Sequence, residues 1–306
     1  MAESSIPVDL LNPGQVFACL GFMEAAEILI GNVRGGFDWS DETDIRFRLQ
    51  VESGENPIEV VLSALAKAEV VEMEPINWPD THNKNALTVE DFPCHLGAHY
   101  VGNKWSRTKL PAKICLSVDT QHKSIDLLSW TDGSSRPEFK LFSGNRTGAS
   151  IACDMLSGKR GKPTKRLPEG KIETFGLRQL WDRDQKKLID DPFNVTCEVA
   201  GSFNMDPRGA WTAMDVGFSL NEHKNIRIVA SPVVEILAMI GLEHARPDEY
   251  ETRSVRYAIW NELLPPILAR AAFAAINIDV KLRKYRFKLD LSGKNKIVTF
   301  SEPETI

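Results

Sequence analysis

Five cations fall within eight residues at Lys159, Arg160, Lys162, Lys165 and Arg166, interrupted by Gly161, Pro163 and Thr164. Like charges at that spacing repel, and the segment has no apolar period for burial to reward. The chemistry on offer is contact with an anion. Glycine lets a backbone come close to a ligand, and lysine and arginine track phosphates without reading bases. Displaced counterions would make such binding fall steeply with salt. A nucleotide-binding GxxxxGK[ST] loop is excluded, because counting from Gly158 puts Pro163 where the second glycine belongs. A solvated surface loop is the other reading of the same residues.

A second basic run spans Lys281 to Lys296. On a strand, Arg283, Tyr285, Phe287 and Leu289 share one face and Lys284, Arg286 and Lys288 the other. One face packs and the other is positive. That suits a nucleic-acid backbone, and it equally suits an edge strand protected by lysines from pairing with other chains.

Signals for catalysis are weaker. His95 and His99 lie four apart, with His82 and Cys115 at a distance. On a helix they would share a face as metal ligands do, but Pro93 and Gly97 oppose a helix and no HExxH glutamate is present. His122, His223 and His244 stand singly at turns or helix ends, where surface or capping roles are expected. Asp38, Asp41, Glu42 and Asp44 read as a solvated acidic turn, and Asp182 and Asp184 flank Arg183 as a local ion-pairing group. There is no GxSxG, GxGxxG or kinase signature. No enzyme, metal or cofactor is expected.

These residues sit in a chain of 306 with 37 Lys and Arg against 42 Asp and Glu, a net charge of −5. The molecule is therefore no polycation, and a polyanion must meet a local patch. Residues 157–187 carry ten cations and four acids, and residues 280–296 carry seven and one, so each region holds +6. The remainder holds −17. Five cysteines lie far apart without a CxxC pair, which fits reduced thiols. The first residues lack a basic, apolar leader, and no apolar run reaches membrane-spanning length, so a cytoplasmic setting is expected.

Helices are expected at 15–30, from Asn56-Pro57 to Ala68, and at 144–156, 175–184, 207–216, 232–242 and 266–276. Strands are expected at 45–51, 112–118, 124–130, 194–203 and 253–260. Residues 285–291 and 297–300 should form a hairpin. In the first helix Val16, Leu20, Met23, Ala26, Leu29 and Ile30 mark an apolar stripe, and Gly31 a stop. Residues 77–113 have no sustained period. The pattern is α+β, mixed helices and antiparallel strands with no regular βαβ repeat. The chain reads as parts 1–156 and 173–306 joined by a basic loop at 157–172, or as one continuous domain.

Several long stretches carry a family likeness. Residues 6–31 (IPVDLLNPGQVFACLGFMEAAEILIG) with GGFDW at 35–39, SWTDGSSRPEFKLFSGNRTGASIACDML at 129–156, and SFNMDPRGAWTAMDVGFSLNE at 202–222 continued by SPVVEILAMIGLEHARP resemble a CRISPR-associated family. It is the small large-subunit family of type I-U (I-G) systems, labelled Csb-three. The resemblance covers most of the chain through motifs that are long and not catalytic. It implies a Cascade-type subunit without catalytic residues, partnered by target double-stranded DNA, guide RNA, other Cascade subunits and the helicase–nuclease; the alternatives are a metal-dependent nuclease or RNA-processing enzyme of the same defence system, using His95, His99 or the Asp182 and Asp184 pair, and a purely structural scaffold. Such a subunit reads a short flanking motif, the PAM, while base pairing reads the rest.

Under that resemblance the loop at 158–166 becomes a basic finger on DNA or RNA. Asn145 and Arg146, in the glycine-flanked turn from Ser143 to Gly148, become phosphate or base-edge contacts, against a helix cap and a surface arginine. Ser134, Ser135, Arg136 and Lys140 beside the same turn suit phosphates, against a merely polar hairpin turn. Trp105, between Lys104 and Arg107, is the stacking or wedge candidate.

Overall fold

A computed structural model describes residues 1–73, 112–118, 121–127, 147–160, 172–199, 201–209, 229–292 and 295–304. Within them helices and small antiparallel sheets are mixed without a βαβ rhythm, so the α+β class holds. Two helices form the centre. Helix α1 (Pro13–Leu29) starts where Asn12 accepts from the Gln15 amide at 3.2 Å and Pro13 supplies a preset φ. Such a cap contributes about 1 kcal/mol. Gly31, at φ +80°, ends it as the sequence suggests.

The expected stripe on α1 is too narrow. The helix is buried nearly all round, with only Glu27 and Ile28 partly open. Its main neighbour is another helix buried along almost its whole length, Pro232–His244. Gly21 and Gly241 set how closely they cross. A Cβ on Gly21 would collide with the Leu237 carbonyl, and one on Gly241 with the Phe17 carbonyl.

On one side lies a three-stranded sheet in the order β1-β3-β2, built from β1 (Ala2–Pro7), β2 (Arg34–Asp38) and β3 (Arg46–Val51). Strand β3 alternates as expected, with Phe47, Leu49 and Val51 buried. Helix α2 (Pro57–Lys67) begins at Asn56, whose side chain accepts from the Ile58 and Glu59 amides. Strands β4 (Glu69–Glu72), β5 (Ala112–Val118) and β6 (Gln121–Leu127) make a second small sheet. Strand β6 starts three residues before the expected Ser124.

Helix α3 (Gly148–Ser157) is capped by Thr147, which exchanges bonds with Ser150 in a capping box. Strands β7 (Lys159–Arg160) and β8 (Ile172–Thr174) then pair across the basic segment. Helix α4 (Leu177–Asp190) runs six residues past the expected Asp184, kinking there. Asp184 accepts from the Lys187 amide at 3.1 Å, so it caps the second half of the helix.

The strand expected at 194–203 is not formed. Only β9 (Cys197–Glu198) pairs, with β10 (Val229–Ala230). The carboxyl of buried Glu235 takes the amide of Phe203 (2.6 Å), at the end of that stretch, and beyond it those of Met205 (3.1 Å) and Asp206 (2.9 Å), so the Phe203 amide is not open to a strand partner. The helix carrying Glu235 is α5 (Pro232–His244). At 207–216 the described part is a short 3-10 turn, Pro207–Gly209.

The C-terminal sheet runs β11-β12-β13-β14, from β11 (Asp248–Glu251), β12 (Ser254–Trp260), β13 (Leu282–Ser292) and β14 (Asn295–Val298). A last strand, β15 (Glu302–Pro303), also pairs with β13. The expected hairpin is present, with Ser292 opposite Asn295. Helix α6 (Pro266–Phe273) packs Ala269, Ala272 and Phe273 inward. Phe17, Tyr257 and Phe273 bring α1, β12 and α6 together, with ring centroids 5.5 Å apart for Phe17–Tyr257 and for Phe17–Phe273. The Trp260 indole donates to the Gly35 carbonyl at 2.8 Å, and Gly35 bridges Leu264. One hydrophobic cluster thus includes residues from both ends of the chain.

Candidate nucleic-acid interface

Period-two alternation on β13 does what the sequence suggests. Tyr285, Phe287 and Leu289 are buried, while Lys284, Arg286 and Lys288 are exposed on the outer face. The edge-strand reading is corrected. Strand β13 is interior, because β12 pairs with it from Ser254–Lys288 to Trp260–Leu282 and β14 and β15 occupy its other side. Its lysines therefore guard no open edge.

The register fixes what stands beside each cation. Ser254 is opposite Lys288, Arg256 opposite Arg286, and Ala258 opposite Lys284. Acids answer some of the charge. Arg286 donates to Glu302 at 2.8 Å, and Arg256 donates to Glu304 at 2.9 and 2.6 Å with Asp248 at 3.6 Å. The Glu304 bonds raise the Arg256 pKa further above its usual value. Lys284 and Lys288 make no ion pair among the described residues.

Next to Lys288 the surface opens into a cleft of about 680 Å3. Its walls come from the β11–β12 turn, the outer face of β13 and residues 299–302. Two aromatic rings lie at its margin, Tyr250 at 37 % exposure and Phe300 at 53 %. The Arg256 guanidinium sits 4.5 Å from the centre of the Tyr250 ring and holds one of its faces. Thr299 donates its hydroxyl to the Lys288 carbonyl at 2.7 Å. Ser301, buried below, donates its amide to Leu11 at 2.8 Å and shares a 2.8 Å hydroxyl contact with Tyr257. The cleft is thereby braced against the N-terminal segment. Glu251 and Glu302 also border it and oppose an anion. Aromatic faces beside cations suit stacked bases with phosphates alongside.

The basic loop is held at its base. Gly158, at φ +70°, ends α3 in a conformation that favours glycine. Gln179 then ties the two sides, accepting from Gly176 at 2.8 Å and donating to the Ser157 carbonyl at 2.9 Å. Lys159 pairs with Glu173 at 3.2 Å, an acid from the facing strand that balances one charge of the run. Arg160 lies on the same short ladder. Lys162, Lys165, Arg166, Ser134, Ser135, Arg136, Lys140, Asn145, Arg146 and Trp105 lie outside the described residues.

Other polar groups serve the fold. Burial pushes the Glu235 carboxyl up to about 8, against the pull of its three amide donors. Beside it Asp206 accepts from Arg208 and from Asn12, at 2.7 and 3.2 Å. Glu24, 2 % exposed, takes two bonds from Arg270 at 2.7 and 2.6 Å, with His244 at 3.6 Å. The acidic turn is partly claimed by the C-terminal sheet. Glu42 pairs with Arg283, whose guanidinium also lies 4.7 Å from the Trp39 ring. The hydrogen bond from Arg283 lowers the Glu42 pKa.

Among the described residues no three His, Cys, Asp or Glu side chains are grouped to hold a metal ion. His82, His95 and His99 lie outside those residues, and Cys115 is a free thiol on β5. No described helix is long and apolar enough to cross a membrane. Comparison with protein-family models, with curated proteins and with solved structures finds no match.

Proposed function

We propose that this chain is a non-catalytic, nucleic-acid-binding subunit of a type I, RNA-guided CRISPR surveillance complex of the Cascade kind. In this role it acts in the cytoplasm with other Cascade subunits and guide RNA. It contacts target double-stranded DNA and its flanking motif, supports opening of the duplex and helps recruit the helicase–nuclease. None of these tasks asks the chain for a nucleophile or a metal. The observation that carries the reading is Lys288, exposed and without an ion-pair partner among the described residues, on the wall of a cleft bordered by Tyr250 and Phe300, with Lys284 equally exposed and unpaired among those residues further along the same strand face. The long stretches that resemble the Csb-three family point the same way.

The test uses the assembled complex, with duplexes that carry or lack the flanking motif, across a salt series. Lys284→Glu/Lys288→Glu should weaken binding to both duplexes and flatten the salt dependence, by about 0.9 in log–log slope for each phosphate no longer neutralised. Reversing Lys159, Arg160, Lys162, Lys165 and Arg166 should add a second loss of the same kind. Unchanged affinity and slope in both variants would overturn the reading and leave a protein-only scaffold.

A further inference from the structure

A different face of the molecule holds an arginine that the fold leaves largely unanswered. Arg48 is central in the β1-β3-β2 sheet, between Ser5 of β1 and Gly36 of β2. Gly36 has no side chain because the chain after β12 lies there, and a Cβ would collide with the Glu262 carbonyl. That segment walls one side of Arg48 and gives it a long bond, 3.4 Å, from Nη2 to the Asn261 carbonyl. The Arg48 Nε–H is buried and has no hydrogen-bond partner among the described residues. An unanswered N–H on a buried part of a guanidinium costs free energy unless a water or an anion completes it.

Further donors converge on the same place. Arg46, two residues along, donates from Nε to the Ser5 hydroxyl at 2.9 Å and from Nη2 to the Ser5 carbonyl at 3.1 Å. Its Nη1 meets Asp44 at 3.3 Å, which leaves N–H groups of the same fork to donate elsewhere. Ser5 accepts from Arg46 and keeps its own O–H to donate. These side chains border an open notch of about 270 Å3, shared with Glu3 and Asp38. The two acids already have partners. Glu3 accepts from Gln50 at 3.2 Å, and Asp38 accepts from the Ser40 amide and hydroxyl at 3.0 and 2.7 Å.

We propose that the notch formed by Arg48, Arg46 and Ser5 binds a single phosphate group. Several N–H donors and one O–H donor on adjacent strands match its oxygens, and an arginine fork suits it better than a lysine. Asp38 and Glu3 are the opposing charges and keep the affinity modest. The site is separate from the face of β13 and does not depend on it.

Arg48 Nε–H would be followed by nuclear magnetic resonance on the purified full chain. Inorganic phosphate, a nucleoside monophosphate and a short single-stranded oligonucleotide would be titrated in separate arms. A saturable shift of that resonance is expected, with affinity reduced about tenfold or more in Arg48→Met and less in Arg48→Lys. Asp38→Asn should tighten binding about fivefold, a gain that a purely structural arginine would not produce. Thermal melting guards against misfolding. Arg48→Met should melt at or above the wild-type temperature, and a given phosphate concentration should stabilise the wild type more than Arg48→Met. Binding of the two small ligands without the oligonucleotide assigns the notch to a terminal phosphate. Binding of the oligonucleotide with the same Arg48 dependence assigns it to a nucleic-acid backbone. No shift in any arm up to about 50 mM, or equal affinity in Arg48→Met, overturns the proposal and leaves the notch to water.

Discussion

Glu235 and Lys288 stand at opposite ends of how this chain handles charge. Glu235 is sealed inside, and three backbone amides fill its carboxylate. Lys288 stands on an outer sheet face with no ion-pair partner among the described residues. At α5 the buried Glu235 holds the backbone from Phe203 to Asp206 in place. On β13 Lys284 and Lys288, unlike Arg283 and Arg286, hold no acid in place among the described residues. The contrast separates a buried ionisable group that specifies the structure from charge left available to a partner.

The sharpest way to break that contrast is at Glu235. Glu235→Ala strands three buried N–H groups and should cost about 3–5 kcal/mol, read from urea unfolding. A loss below about 1 kcal/mol would mean the 202–209 segment is held by something else. The raised pKa adds a sign. A carboxyl at about 8 in the folded state holds its proton where the unfolded chain has released it. Its contribution is therefore complete at low pH and is lost as pH rises from roughly 4.5 through 8. Subtracting the stability–pH curve of Glu235→Gln from wild type should isolate that decline. A flat difference would show that the amide donors keep the carboxyl ionised throughout.

Arg270→Met comes next. It leaves Glu24 buried beside His244 without its bidentate partner, and should cost about 2–3 kcal/mol. Adding Glu24→Gln should recover most of the loss. Failure of that rescue would make Arg270 a packing residue through its aliphatic stem.

On the outer face the order of effects reverses, with binding moving and stability holding. Tyr250→Ala and Phe300→Ala should each weaken single-strand binding about tenfold. Lys284→Ala and Lys288→Ala should each cost only a few fold, mostly as a shallower salt slope. All four should keep stability within about 0.5 kcal/mol of wild type. A larger stability loss at the lysines would place them with Glu235 and erase the distinction.

Local signals were legible where one segment decides its own conformation. Asn12-Pro13 and Asn56-Pro57 open helices, β3 alternates, and the hairpin closes between Ser292 and Asn295. Legibility failed where a distant group takes over the backbone. Val195, Val199 and Phe203 look like strand residues, yet Glu235, far along the chain, claims the Phe203 amide. The α1 stripe looked one-sided because a sequence cannot show that α5 covers another of its faces. The site followed the same rule. The faces of β13 could be read by counting in twos. Tyr250, Ser254, Arg256 and Phe300 could not, because the register of β12 and the return of the C-terminal segment bring them there.

Helices α1 and α5 have almost no wetted surface, and their backbones meet at Gly21 and Gly241. Solvent can reach most of their amides only when the whole centre comes apart. Their deuterium uptake therefore reports global opening, while uptake along β13 reports local unpairing of its sheet. One exchange experiment on the same sample then carries its own internal clock. A ligand that slows β13 and leaves α1 and α5 unchanged acts on the surface, and one that slows all three has tightened the molecule as a whole.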